Sequence, residues 1–320
     1  MSDDTGPMIL VTTKLESRQE QRLYAAAPGA RIVHEPDLAA DPGLIREIEI
    51  CYPRLPSVHW RDAAKLRWLQ SSFAGVDSLL ALPEARQHPA VFTNVHIHAN
   101  CISEHLWGMT LMLTRNLHKS YRAQQGEKWE SASAAEGVES LAGRTLCIAG
   151  LGAIGVHCAA LGRAFGMHVI GIARHARANP AVDELVGPQK RRDVFARSQV
   201  IMLILPDTPE TRGFVDTPEL DVMQGAYLLN AGRGPAIVTD RLVEALQDGR
   251  VRGAGVDVTD PEPLPPGHPL WSMPNVVITP HYGGVHPGYD EEAFSLFCSN
   301  LQRWVAGQPL QNVVDKAAGY

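Results

Sequence analysis

The sequence predicts an α/β protein of two domains, one of them built on a doubly wound parallel sheet. Three observations lead there. The chain has 320 residues, which suits two domains of ordinary size. Short apolar runs alternate with helical patterns along it, the mark of a mostly parallel sheet covered by helices. From Thr145 onward six such runs recur: TLCIAG, MHVIGIA, QVIMLIL, GAYLLN, GAGVDV and NVVITP. They are near-continuous in apolar character rather than alternating, as strands buried on both faces must be.

Taken in order, the first part offers MILVTT, ARIVH, EIEICY, LRWLQSS and AVFTN as strands. ISEHLWGMTLMLTRNLHKSYRAQQ then reads as one long helix, apolar on much of its circumference and so suited to a buried place between domains or subunits. AIGVHCAALGRAFG and DRLVEALQDGR read as helices between the later strands. The last segment, YDEEAFSLFCSNLQRWVAGQPL, is a helix expected to cross back to the first domain, whose helical covering is incomplete without it. The expected domains are therefore 1–100 plus 287–320, and 101–286.

Apolar residues make up 45% of the chain and charged residues 20%, so it should bury a core and be soluble. A formal charge of -6 argues against nucleic acid or an anionic membrane as the main partner. No apolar run is long enough to span a bilayer. The opening MSDDTGPMILVTT is acidic, with no basic stretch ahead of an apolar one, so no signal peptide is visible and the cytoplasm is the expected compartment. The cysteines are Cys51, Cys101, Cys147, Cys158 and Cys298, an odd number with no CxxC spacing. Disulfides and zinc are disfavoured, and buried inert thiols are the expectation. His96 and His98 have the spacing of a metal pair but no partner acids, so they read as loop residues and no metal is expected.

Gly150, Gly152 and Gly155 spell GxGxxG between the apolar TLCIA and a helix. The first glycine permits a tight turn, the second lets a pyrophosphate approach the backbone, and the third lets helix and strand pack closely. That context predicts dinucleotide binding. Such chains place an acid roughly 20 residues on, to hold a ribose hydroxyl. Here the strand VIGIA ends in Ala173 and is followed by Arg174, His175 and Arg177. Alanine removes the charge that would repel a 2′-phosphate, and Arg174 and Arg177 supply partners for one. The expected cofactor is NADP(H), with NAD(H) possible. Lys190, Arg191 and Arg192 read as a basic surface run.

In a doubly wound sheet, ligands sit outside the carboxyl ends of the strands. PDTPET, AGRG, TDPEP and His281 each follow a strand and should share one edge. They present Arg233, Glu262 and His281. A guanidinium can grip a carboxylate and polarise the adjacent carbonyl. A histidine can give the carbonyl oxygen a proton, and a glutamate beside it would fix its tautomer and favour its charged form. This set suffices to reduce a 2-keto acid.

At this point the chain resembles the D-isomer-specific 2-hydroxyacid dehydrogenases, in the NADP-preferring branch of glyoxylate/hydroxypyruvate reductases. The stretches that carry the likeness are GLGAIGVHCAALGRAFGMHV, LPDTPETRGFV, LLNAGRGPAIV, GAGVDVTDPEPLPPGHPLWSMPNVVITPH, SSFAGVDSLL and ISEH. The resemblance implies two flavodoxin/Rossmann-like domains, the substrate domain made from both chain ends, an active site in the cleft between them, and a homodimer formed through the nucleotide domain and its flanking helix. It assigns catalysis to Arg233, Glu262 and His281. It assigns the substrate carboxylate to Arg233 and to the loop of Ala74, Gly75 and Val76. The backbone of Gly150, Gly152, Ala153, Ile154 and Gly155 would hold the cofactor, with Pro206 and Thr208 along it and Asp257 on the nicotinamide amide. Two departures stand out: Thr259 replaces a frequent aromatic residue after DV, and the acid at the second strand end is missing. Phe73, Trp60, Trp107, Trp271 and Tyr282, with Tyr52 to Arg54, are the aromatic and strand-end candidates for shaping a pocket, though core packing suits most of the aromatics better.

Two other readings share the fold. A dinucleotide-sensing, corepressor-like binding protein would keep the same trio, but no appended interaction tail is visible. A phosphite-type dehydrogenase remains possible. Formate-oxidising relatives carry glutamine where Glu262 stands, so keto acids fit better.

Overall fold

The computed structural model describes residues 6–130, 135–174 and 179–319. It divides into two compact units, one of residues 1–97 and 286–320 and the other of residues 98–285.

The chain begins with β1 (Met8–Val11), α1 (Ser17–Ala26), β2 (Arg31–His34), α2 (Glu35–Ala40), β3 (Ile50–Tyr52), β4 (Trp68–Gln70), α3 (Asp77–Leu80), α4 (Pro83–Gln87) and β5 (Val91–Thr93). The five strands form one sheet in the order β2-β1-β3-β4-β5, parallel throughout. That is the flavodoxin-type order.

The second unit holds α5 (Ala99–Thr114), α6 (Leu117–Gln125), β6 (Thr145–Ala149), α7 (Ala153–Ala164), β7 (His168–Ile172), β8 (Glu184–Val186), α8 (Arg191–Arg197), β9 (Val200–Leu203), α9 (Thr217–Leu220), β10 (Ala226–Asn230), α10 (Thr239–Gln247), β11 (Val251–Val256) and β12 (Val276–Ile278). Its seven-stranded sheet runs β12-β11-β10-β9-β6-β7-β8, again all parallel. The order reverses between β6 and β9, the switch point at which doubly wound sheets bind ligands. The chain then contributes α11 (Tyr289–Val305) to the first unit.

Alternation along the strands explains how each sheet is covered. In β6, Leu146 and Ile148 face one core while Cys147 and Ala149 face the other, and Val200 and Met202 against Ile201 and Leu203 do the same in β9. With both faces buried, successive interior positions of these strands must be apolar, which is what LCIA in β6 and VIML in β9 show. In the first unit, Leu10 packs with Leu69 and Phe92 on one side. Ile9, Ile50 and Trp68 pack with Phe294, Phe297 and Leu301 of α11 on the other.

The structure departs from the sequence expectation in two elements. The predicted long helix is two helices: Asn116 has φ 55°, a left-handed conformation asparagine tolerates and a helix cannot continue through. The second sheet has a seventh strand, β8. It lies at the sheet edge and its three residues are only half-buried, so it lacks the apolar run that marks the others.

Four cysteines are buried and Cys101 is half-buried, all as free thiols. Burial pushes Cys51 and Cys147 far up from the usual thiol range and Cys158 to about 11, so these thiols stay neutral and unreactive. Tyr52 stacks on Phe297 at 4.4 Å, and Trp60 and Trp107 are buried in the cores. Phe73, Trp271 and Tyr282 are about half-exposed. His98 is buried in the irregular segment just ahead of α5. Among the described residues, no helix is long and apolar enough to cross a membrane.

Candidate active site

The glycine loop follows β6, on one side of the switch point. Gly150 has φ 102°, and a Cβ there would meet the Ile204 carbonyl oxygen at 2.3 Å. A Cβ on Gly155 would meet the Gly150 carbonyl oxygen at 2.0 Å. Turn and packing therefore require both glycines. At Gly152 a Cβ would meet nothing within 4 Å, so its backbone is open to an approaching group. Ala153 and Ile154 form the first turn of α7, where N–H groups lack intrahelical partners and favour an anion. The residues present thus fit a dinucleotide pyrophosphate.

Across the switch point, the loop after β9 carries Pro206 and Thr208. It is closed on itself: the Thr211 hydroxyl donates to the Pro206 carbonyl at 2.6 Å and accepts from the Thr208 N–H at 2.9 Å. Thr208 is buried. Arg174 follows β7, and its Nη2 lies 3.4 Å from Oε2 of Glu210 in the PDTPET loop. Arg177 and His175 lie outside the described residues. Glu210 is a partner that sequence reading missed. Its own backbone N–H, the Thr208 hydroxyl and Arg174 hold its carboxyl below the usual glutamate range. Arg191, read as part of a solvated basic run, instead pairs with the buried Glu219 at 3.0 Å and lies over the Phe214 ring.

The trio comes from three strand ends. Asn230, buried at the end of β10, fixes the Arg233 loop: its Nδ2 donates to the Arg233 carbonyl at 3.0 Å and its Oδ1 accepts from the Gly232 N–H at 3.0 Å. A Cβ on Gly234 would meet the Thr259 carbonyl oxygen at 2.0 Å. The Arg233 loop therefore lies directly against the segment that leads to Glu262. His281 follows β12, and its Nδ1 is 2.6 Å from Oε1 of Glu262. A carboxylate only accepts, so Nδ1 carries the proton and Nε2 is left for chemistry. Both side chains are about half-exposed.

Asp257, at the end of β11, is buried. Its Oδ1 accepts from the Thr279 hydroxyl at 2.7 Å and the Tyr282 N–H at 3.1 Å, and its Oδ2 from the Gly283 N–H at 3.0 Å. His105 of α5 joins this cluster, with Nε2 2.8 Å from Thr279 Oγ1. No local pattern announces these contacts, which span 22 and 174 positions in the chain.

In the first unit, the Ala74–Val76 loop follows β4. Asn94 Nδ2 donates to the Ala74 carbonyl at 2.7 Å, and the Ser71 hydroxyl accepts from the Phe73 N–H at 3.0 Å. These bonds hold the loop that bears the Gly75 and Val76 N–H groups.

A Rossmann sheet with a fitted glycine loop, and a carboxylate-paired histidine at its strand ends, defines a dinucleotide-dependent oxidoreductase. The sequence profile of the D-isomer specific 2-hydroxyacid dehydrogenase NAD-binding domain matches residues 107–283. The chain is 30% identical to glyoxylate reductase of Aeropyrum pernix over 264 residues, 80% of this chain and 78% of that one. A D-isomer specific 2-hydroxyacid dehydrogenase family protein of Aeromonas salmonicida superposes with a TM-score of 0.83 at 33% identity, over 97% of this chain and 99% of that one. NADPH-dependent glyoxylate/hydroxypyruvate reductase of Sinorhizobium meliloti, solved with NADP and sulfate, gives a TM-score of 0.83 at 27% identity, over 98% and 100%. The protein belongs to the D-isomer specific 2-hydroxyacid dehydrogenase family.

Proposed function

We propose that this protein uses NADPH to reduce a small 2-keto acid, such as glyoxylate, hydroxypyruvate or a close relative, to the D-2-hydroxy acid. The observation that carries the reading is the His281–Glu262 pair at 2.6 Å, set beside the Arg233 loop. Arg233 grips the substrate carboxylate and polarises the neighbouring carbonyl. His281 holds a proton on Nε2 and delivers it to the carbonyl oxygen. Nδ1–H stays bonded to Glu262, which fixes the tautomer and orientation of the ring. When bound, the cofactor supplies the hydride.

The NADPH preference rests on Ala173, which leaves no carboxylate at the end of β7, and on Arg174 beside it. The Sinorhizobium meliloti relative binds NADP, which supports the same choice. NAD(H) remains the second cofactor to test. A homodimer is part of the proposal. Leu117 and Tyr121 of α6, and Trp129 beyond it, are exposed by 51%, 61% and 96%, an apolar surface such a contact would cover.

The test is NADPH oxidation followed with a panel of 2-keto acids, repeated with NADH and with Arg174→Ala. Turnover of at least one acid is expected, faster with NADPH. The Arg174→Ala variant should lose about ten- to hundredfold in NADPH affinity, the size of a charged hydrogen bond, and much less with NADH. No turnover with any acid would sink the reductase reading. Equal losses for both cofactors would remove Arg174 from phosphate recognition.

A further inference from the structure

His281 has φ 53°, an uncommon backbone conformation for a side-chain-bearing residue and one that its surroundings here determine. Asp257 supplies much of that determination. Its carbonyl accepts from the His281 N–H at 2.9 Å. Its carboxylate accepts from the N–H groups of the next two residues, Tyr282 and Gly283, and from the Thr279 hydroxyl two residues before His281. One buried aspartate thus ties down the chain on both sides of the proton donor.

His105 reaches this cluster from α5. Its Nε2 lies 2.8 Å from Thr279 Oγ1 and 3.5 Å from Asp257 Oδ1. Its ring packs edge-on against Tyr282, with centroids 5.2 Å apart. Gly283 has no room for a side chain: a Cβ would meet Asp257 Oδ2 at 2.8 Å and His105 Cδ2 at 3.1 Å. Counting protons fixes the direction of the chain. Thr279 has one hydroxyl proton, and a carboxylate only accepts, so the 2.7 Å bond to Asp257 uses it. The contact between Thr279 and His105 then needs a proton from the ring. His105 donates from Nε2 to Thr279, and Thr279 donates to Asp257. A hydroxyl that accepts one bond donates the next more strongly.

We infer that His105 is a positioning residue: through Thr279 it anchors the Asp257 carboxylate and so holds the left-handed turn that presents His281. The inference rests on the reading of His281 as the proton donor. His105 acts through Thr279, Asp257 and Tyr282 rather than on the reacting atoms.

The test compares three variants. His105→Leu keeps bulk and removes the donor. His105→Gln keeps an N–H at similar reach. Thr279→Val removes the bridge. Turnover with NADPH and the best keto acid is measured alongside amide hydrogen exchange of the peptide covering 279–285. His105→Leu and Thr279→Val should each lower kcat about ten- to hundredfold, the cost of a misplaced reacting group, with KM little changed and exchange in that peptide faster. His105→Gln should restore most of both. The double variant should be no worse than the poorer single one, because the two residues act as one chain. Wild-type kcat and exchange in His105→Leu would overturn the inference, as would losses that multiply in the double variant. A loss confined to NADPH affinity, with unchanged exchange, would overturn it too. Failure of the functional reading looks different: His281→Ala would keep its turnover, while exchange would still report the clamp.

Discussion

Each unit buries a chain of polar side chains, and the two chains are finished differently. In the first unit, Trp68 Nε1 donates to the Thr93 hydroxyl at 2.8 Å, which donates to Gln70 Oε1 at 2.8 Å. Asn300 of α11 donates to the same oxygen at 2.9 Å, and its own oxygen accepts from the Gln311 N–H at 2.8 Å. Gln70 spends its amide protons on the carbonyls of Ser71 and Asn94. Gln70, Thr93 and Asn300 are fully buried, and the chain closes on backbone at its ends. In the second unit, the chain from His105 through Thr279 to Asp257 ends on the loop of His281, whose side chain is half-exposed. A closed network specifies packing, because any missing member leaves a buried group unsatisfied. A network that ends at the surface spends the same bonds on aiming one group outward.

That difference predicts opposite outcomes for two substitutions. His281→Ala should lower kcat by ~10²–10⁴-fold, the range for a positioned acid–base group. It should leave the urea midpoint almost unmoved, since the side chain lost is exposed and the clamp on Asp257 uses its backbone. Steady-state kinetics beside urea unfolding checks both halves. Unchanged turnover would remove His281 from the chemistry. A large loss of stability would mean that the site loop is also a structural keystone, and the contrast between the networks would fail.

Asn300→Leu should do the reverse. It removes the part-buried bond to the Gln311 N–H and one of the two bonds to the buried Gln70 oxygen, a cost of about 1–3 kcal/mol. The urea midpoint should fall accordingly while the folded enzyme keeps its kcat and NADPH affinity. An unshifted midpoint would show that the polar chain in the first unit holds nothing that apolar contacts around α11 do not.

The same contrast explains what could be seen in the sequence. The sheet strands of the second unit are legible because burial on both faces forces apolar residues at successive positions. The glycine loop is legible because GxGxxG lies within one strand–turn–helix. Arg233, Glu262 and His281 could be gathered because a doubly wound sheet sends its strand ends to one edge. The polar chains were invisible. His105 and Thr279, or Gln70 and Asn300, meet across 174 and 230 positions, and each is an ordinary polar residue in its own segment. The break at Asn116 was hidden by apolar residues on both sides, and β8 by its place at the edge. What a single strand or turn dictates can be read locally; what tertiary pairing dictates cannot.

Arg174 and Glu210 belong to neither network, and the Glu210 substitution carries the smallest predicted effect. Arg174 is 43% exposed and Glu210 69%, so water screens the pair and its own worth is slight. Its consequence lies in competition. A 2′-phosphate arriving at Arg174 meets a carboxylate already there, drawn from the PDTPET loop into the region where the expected strand-end acid is missing. Glu210→Gln removes the repulsion and leaves Arg174 to the phosphate. NADPH should then bind about two- to fivefold more tightly, as suits an exposed charge pair, with NADH unchanged or weaker. The gain should shrink as salt shortens the screening length. Fluorescence titration with both cofactors at low and high salt decides it. An equal gain for NADH and NADPH would mean that Glu210 acts on what the two cofactors share, and that Ala173 and Arg174 set the preference without it.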